Sequence, residues 1–123
     1  MTEQELADLC REWQWRLGLA HWRMIVKSKR MHDMPMQDIE GYNCFNIATE
    51  TAIIFILDPI DYVSDFPQDQ EMTLVHELLH ILMHYIVVPA EESPENPNLE
   101  ATISRIARAL VDLKRQPKET PNA

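Results

Sequence analysis

Apolar residues Leu6, Leu9, Cys10, Trp13 and Leu17 recur at helical spacing directly after "TEQE", in which Thr2 as N-cap and Glu5 reaching back make a capping box. Gly18 supplies a stop for this first helix. From Trp22 the period changes to two, with Trp22, Met24 and Val26 on one side and Arg23, Ile25 and Lys27 on the other, the signature of a half-buried strand. The methionine-rich polar stretch "KSKRMHDMPMQDIE" then connects to two more strand candidates, "GYNCFNI" (41–47) and "TAIIFIL" (51–57). Only "ATE" separates them, so they are expected to pair as a hairpin, and the second is apolar on both faces.

Turn-rich "DPIDYVSDFPQDQ" leads into a long apolar segment, expected as a helix over about residues 68–88 and stopped by Pro89. After the acidic loop "AEESPENPN", a last helix over about residues 97–114 carries the stripe Leu99, Ile103, Ile106, Leu110 and Leu113. Residues 115–123 form a frayed, flexible tail in this reading. The order is a helix, three strands and two helices without repeat or internal boundary, which predicts one α+β domain over 1–123 with helices covering one face of a small sheet.

Composition removes several function classes. Acidic residues outnumber basic ones by 20 to 11, and the net charge of -9 opposes non-specific binding to phosphate backbones, so no nucleic-acid partner is expected. The small basic cluster Lys27, Lys29 and Arg30 is read as a solvated strand end. No apolar run spans a bilayer and no signal-peptide pattern opens the chain, so a cytoplasmic protein without membrane contact is expected. Cys10 and Cys44 form no metal-binding pair and are expected as buried apolar residues. With two glycines in all, there is no phosphate-cradling loop.

The chemistry concentrates in "LVHELLHILMH", residues 74–84. Residues four apart lie one above the other on a helix, so His76 and His80 can aim imidazole nitrogens at one ion roughly 2 Å from each. Glu77 is rotated by about 100° from His76 and is placed to reach a water on the open side of that ion, as a general base. The competing reading is an apolar core helix whose histidines are satisfied by hydrogen bonds. Its other residues, Met72, Leu74, Val75, Leu78, Leu79, Ile81, Leu82 and Met83, place the segment in the core either way. Two histidines and a glutamate buried there need partners.

A catalytic zinc ion takes three protein ligands and keeps one position for water. Glu100, twenty residues beyond His80, shares a helix face with Ile103, Ala107 and Val111, and a cation would offset the penalty of turning its carboxylate inward. Glu91, Glu92 and Glu95 in the acidic loop are the alternatives. His84 stands eight residues after His76, about 12 Å along an unbroken helix, too far for both to share an ion.

With "HELLH" on one helix and "LEATIS" on the next, the chain resembles the gluzincins, zinc peptidases whose third ligand is a glutamate on a following helix. The spacing to Glu100 is similar to that of thermolysin-like enzymes, and the length and element order are most similar to minigluzincins and small phage or prophage metallopeptidase domains. The resemblance is strong from about residue 73 to 111, looser over the strands and uninformative for the first helix. It implies a minimal zincin-like domain in which His76, His80 and Glu100 bind Zn2+ and Glu77 activates water to hydrolyse a peptide or protein substrate. It also implies a substrate strand antiparallel to the edge of the sheet, for which 51–57 is the candidate edge.

Two departures stand out. The aspartate that follows the glutamate ligand by four residues in thermolysin-like enzymes is replaced by Ser104, whose hydroxyl can still hydrogen-bond an imidazole. The oxyanion stabiliser of larger relatives has no obvious counterpart, leaving Tyr62, His84 and Tyr85 as candidates for the cleft. The alternative function is a non-catalytic module, of phage or mobile-element origin, in which zinc joins the last two helices. "KRQPKETPNA" is a candidate for an inhibitory tail lying in the groove.

Overall fold

The computed structural model describes residues 1–85 and 97–117. Helix α1 spans Glu3–Arg16, strands β1, β2 and β3 span Arg23–Lys29, Gly41–Asn46 and Thr51–Leu57, and helices α2 and α3 span Gln70–Met83 and Pro97–Arg115. This is the expected α+β arrangement of three helices and a three-stranded sheet. No described helix is long and apolar enough to cross a membrane.

Local signals set the helix starts. Thr2 Oγ accepts the Glu5 N–H at 3.1 Å while Glu5 Oε1 accepts the Thr2 N–H at 3.0 Å, closing the capping box. Past α1, Gly18 takes φ +75°, which a side chain would disfavour. Asp69 caps α2 by accepting the Met72 N–H at 3.0 Å, two residues later than the sequence pattern implied. At its other end α2 stops at Met83, with His84 as C-cap. The expected stop at Pro89, the loop glutamates Glu91, Glu92 and Glu95, and tail residues 118–123 lie outside the described residues. Arg115, assigned from sequence to the tail, instead closes α3, with its guanidinium on both oxygens of Asp69 at 2.8 and 3.0 Å.

The sheet order is β1-β3-β2. β2 and β3 pair antiparallel as the expected hairpin, while β1 pairs parallel with β3, Val26 opposite Ile54. This corrects the edge assignment: β3 is central, hydrogen-bonded on both sides, and the edges are β1 and β2. Its apolar character suits that position, because a central strand has no free backbone to show to water.

Among the described residues, only the inner face of the sheet is covered by helices. Trp22, Val26, Ala52, Ile54 and Ile56 point into a core completed by Leu6, Cys10 and Trp13 of α1, Leu74, Leu78 and Ile81 of α2, and Ile103, Ala107 and Val111 of α3. Each large side chain sealed there contributes about 1.5–3 kcal/mol. The buried line on α3 is therefore 103/107/111, flanked by Leu99 and Leu110, whereas Ile106 and Leu113 of the expected stripe face outward. Cys10 is buried as expected, but Cys44 is exposed, because it lies on the open outer face opposite Ile53.

One polar cluster ties the helices together at the end away from the loop. Glu71 is buried, with Trp13 Nε1 donating to it at 2.7 Å and Lys114 and Arg115 donating from α3. Burial pushes the Glu71 carboxyl up, but the hydrogen bonds from Lys114, Trp13 and Arg115 outweigh that and hold it below its ordinary value.

Candidate metal centre

α2 and α3 pack side by side, which brings the first half of α3 over the middle of α2. His76 Nε2 lies 3.2 Å from His80 Nε2 and 3.1 Å from Glu100 Oε2, and His80 Nε2 lies 2.8 Å from Glu100 Oε1. All three donor atoms fall within 4.8 Å of one another. Tetrahedral bonds of about 2.0–2.1 Å separate ligand atoms by roughly 3.3 Å, so these distances are those of a slightly contracted zinc coordination edge. Two imidazoles and one carboxylate also match the chemistry of a catalytic zinc set. The residues fit the ion.

The protonation pattern agrees with ligation. Burial, followed by the neighbouring His80, lowers the His76 pKa against the opposing pull of Glu100, favouring the neutral imidazole that a metal requires. Ser104, one turn beyond Glu100 on α3, places its Oγ 3.2 Å from His76 Nδ1. With the proton on Nδ1 donated to that hydroxyl, the Nε2 lone pair faces His80 and Glu100.

Glu77 sits beside this cluster and is only 7% exposed. Asn43 Nδ2 of β2 donates to its Oε1 at 2.6 Å. Burial pushes the Glu77 carboxyl up to about 7, with Asn43 opposing and the Glu100 charge adding to the rise. β2 comes this close because residue 41 has no side chain: a Cβ there would stand 2.6 Å from Thr73 Cγ2 and 3.0 Å from Glu77 Oε2. Sequence reasoning missed both Gly41 and Asn43. The available signals were a glycine opening a strand, which marks close backbone approach, and an asparagine on the inward side of an otherwise apolar alternation.

A cavity of about 340 Å³ opens over the cluster, lined along β2 by Tyr42, Asn43 and Phe45 and roofed by Met36 and Ile39. A second lobe of about 370 Å³ shares His76, Glu77 and Glu100 and extends to Glu40, Thr73, Ser104 and Arg108. The sequence candidates for oxyanion stabilisation divide differently. Tyr62 lies elsewhere, its hydroxyl donating to the Phe66 carbonyl at 2.8 Å. Tyr85 accepts the Trp22 indole N–H at 3.2 Å and lines neither lobe. The His84 ring packs edge-on against Phe45 at 5.1 Å, behind the cavity wall and outside the donor cluster.

No protein-family profile matches the chain, and comparison with characterised proteins and with solved structures finds no match. The functional reading therefore stands on the residues themselves.

Proposed function

We propose that this chain is a zinc-dependent metallopeptidase with a minimal zincin-like domain. The observation that carries the reading is the convergence of His76, His80 and Glu100 from two helices beside a buried carboxylate, Glu77, that faces an open cavity. His76, His80 and Glu100 would hold Zn2+. Bound there, the ion supplies Lewis acidity, polarising a peptide carbonyl and acidifying water.

The chain's own residues account for the rest. Ser104 holds His76 in the tautomer that turns Nε2 to the cluster. Asn43 anchors one oxygen of Glu77 and leaves Oε2 towards the strand and cavity. Glu77 takes a proton from the attacking water as oxygen adds to the carbonyl carbon, and returns it to the amine nitrogen as the C–N bond breaks. β2, an edge strand alongside the cavity, offers backbone donors and acceptors to an extended peptide, and Met36, Ile39 and Phe45 limit water around it.

An alternative in which zinc only joins α2 and α3 leaves the burial of Glu77 without a purpose, since its carboxylate supports neither helix contact. The test is Glu77→Gln, which keeps the shape and the Asn43 contact at Oε1. We expect it to bind one zinc per chain while peptide hydrolysis falls by at least about a hundredfold. Hydrolysis equal to wild type would overturn the reading.

A further inference from the structure

Glu100, Ser104 and Arg108 follow at four-residue intervals and so share one face of α3. The first two engage the histidines; Arg108 continues the row about 6 Å beyond Ser104, with its side chain leaning back towards the helix N-terminus and hence the metal centre. It lines the second lobe of that centre and also the adjoining groove of about 1060 Å³ beneath Tyr62 and Phe66, so it stands where one opens into the other.

Among the described residues Arg108 has no ion pair, unlike Lys114 and Arg115 further along α3. Lys114 is held by Glu12 and Glu71, and Arg115 by Asp69 and Glu71. The charge of Arg108 is felt at Asp69, but the oxygens of that carboxylate are already taken by Arg115 at 2.8 and 3.0 Å and by the Met72 N–H at 3.0 Å. Glu40 lines the same lobe and is exposed, without reaching Arg108. A guanidinium without an ion-pair partner among the described residues, at the exit of a reaction site, is matched by a carboxylate.

Direction follows from the sheet. β2 runs from Gly41, against Glu77, to Asn46. Antiparallel pairing is the stronger mode, and a peptide added that way passes Phe45 first and leaves past Gly41 towards Arg108. An extended chain advances about 3.3 Å per residue, which puts the first to third residues after the cleaved bond within reach of the guanidinium.

We propose that Arg108 makes this site selective for substrates bearing a carboxylate just C-terminal to the scissile bond, either an Asp or Glu side chain or the free C-terminus of the peptide. The proposal rests on the peptidase reading. Its test is cleavage-site sequencing by mass spectrometry, using zinc-loaded protein and a mixed peptide library prepared with free-acid and with amidated termini. Wild type should enrich Asp and Glu at the first three positions after the cut by about five- to tenfold, and Arg108→Glu should turn the preference to Lys and Arg. Cuts clustered within three residues of free-acid ends, and absent from amidated peptides, would assign the carboxylate to the terminus and equally support the proposal. Absence of any acidic or terminal bias, or a bias that survives in Arg108→Ala and Arg108→Glu alike, would overturn it. A library left intact by zinc-loaded wild type would instead overturn the peptidase reading and take this proposal with it.

Discussion

Replacing Gly41 by alanine tests how closely β2 is pressed against α2. The new Cβ would lie 2.6 Å from Thr73 Cγ2 and 3.0 Å from Glu77 Oε2, whereas relaxed carbon–carbon contacts begin near 3.5 Å, so β2 must retreat by roughly 1 Å. Overpacking of that kind costs typically about 1–3 kcal/mol. Gly41 lacks a positive φ, so alanine also gains about 0.4–1 kcal/mol by restricting the unfolded chain. The net expectation is a destabilisation of about 1–2 kcal/mol, read as a drop of about 5 °C in the melting temperature of metal-free protein. Thr73→Ser removes the clashing methyl and keeps the hydroxyl that donates to the Asp69 carbonyl at 3.2 Å. The double variant should therefore recover about 1 kcal/mol relative to the sum of the single changes, measured as a coupling energy by urea unfolding. The contact with Glu77 Oε2 remains in the double variant, so stability should return without full peptidase activity. A Gly41→Ala protein as stable as wild type, or a coupling energy of zero, would refute the close approach.

Two further predictions concern the same helices. Ser104→Ala removes the acceptor for His76 Nδ1 and should weaken zinc binding by about two- to fivefold, while Ser104→Asp should strengthen it; competition with a chromogenic chelator measures both, and equal affinities across the three proteins would contradict the role assigned to Ser104. Hydrogen bonds from Arg115 lower the Asp69 pKa, and those to Glu71 outweigh its burial, so both carboxyls contribute stability above their unfolded values near 4 that is lost as pH falls through their lower folded values. The stability gap between wild-type and Glu71→Gln metal-free protein should therefore narrow below about pH 4, and a gap constant from pH 7 to 3 in urea titrations would oppose it.

What could be seen in the sequence was mostly local. The capping box at Thr2 and Glu5 and the two-residue period of β1 are written in residues a few positions apart. The facing of His76 and His80 follows from helical geometry alone. Glu100 was approachable because it shares a helix face with Ile103, Ala107 and Val111, where a carboxylate calls for a compensating cation. Ser104 follows from Glu100 by one turn. The strand order did not follow: pairing β1 with β3, across an intervening strand, depends on contacts remote in sequence. Treating 51–57 as an edge was therefore wrong, although its continuous apolar character already argued for a central strand. Gly41 and Asn43 were hidden for the same reason, since their significance appears only when β2 lies against Glu77. The stripe on α3 was misphased because Ile106 and Leu113 are apolar yet exposed, and apolar residues on a surface are ordinary.

The central claim is that two histidines and a glutamate hold a catalytic zinc whose open side faces Glu77. An anomalous-difference map collected across the zinc absorption edge, from crystals grown with zinc, tests it most directly. The account predicts one strong peak about 2.0–2.2 Å from His76 Nε2, His80 Nε2 and a Glu100 carboxylate oxygen, with the remaining position open to the cavity beside Glu77. A peak elsewhere, no peak, or a fourth protein ligand closing that position would contradict it.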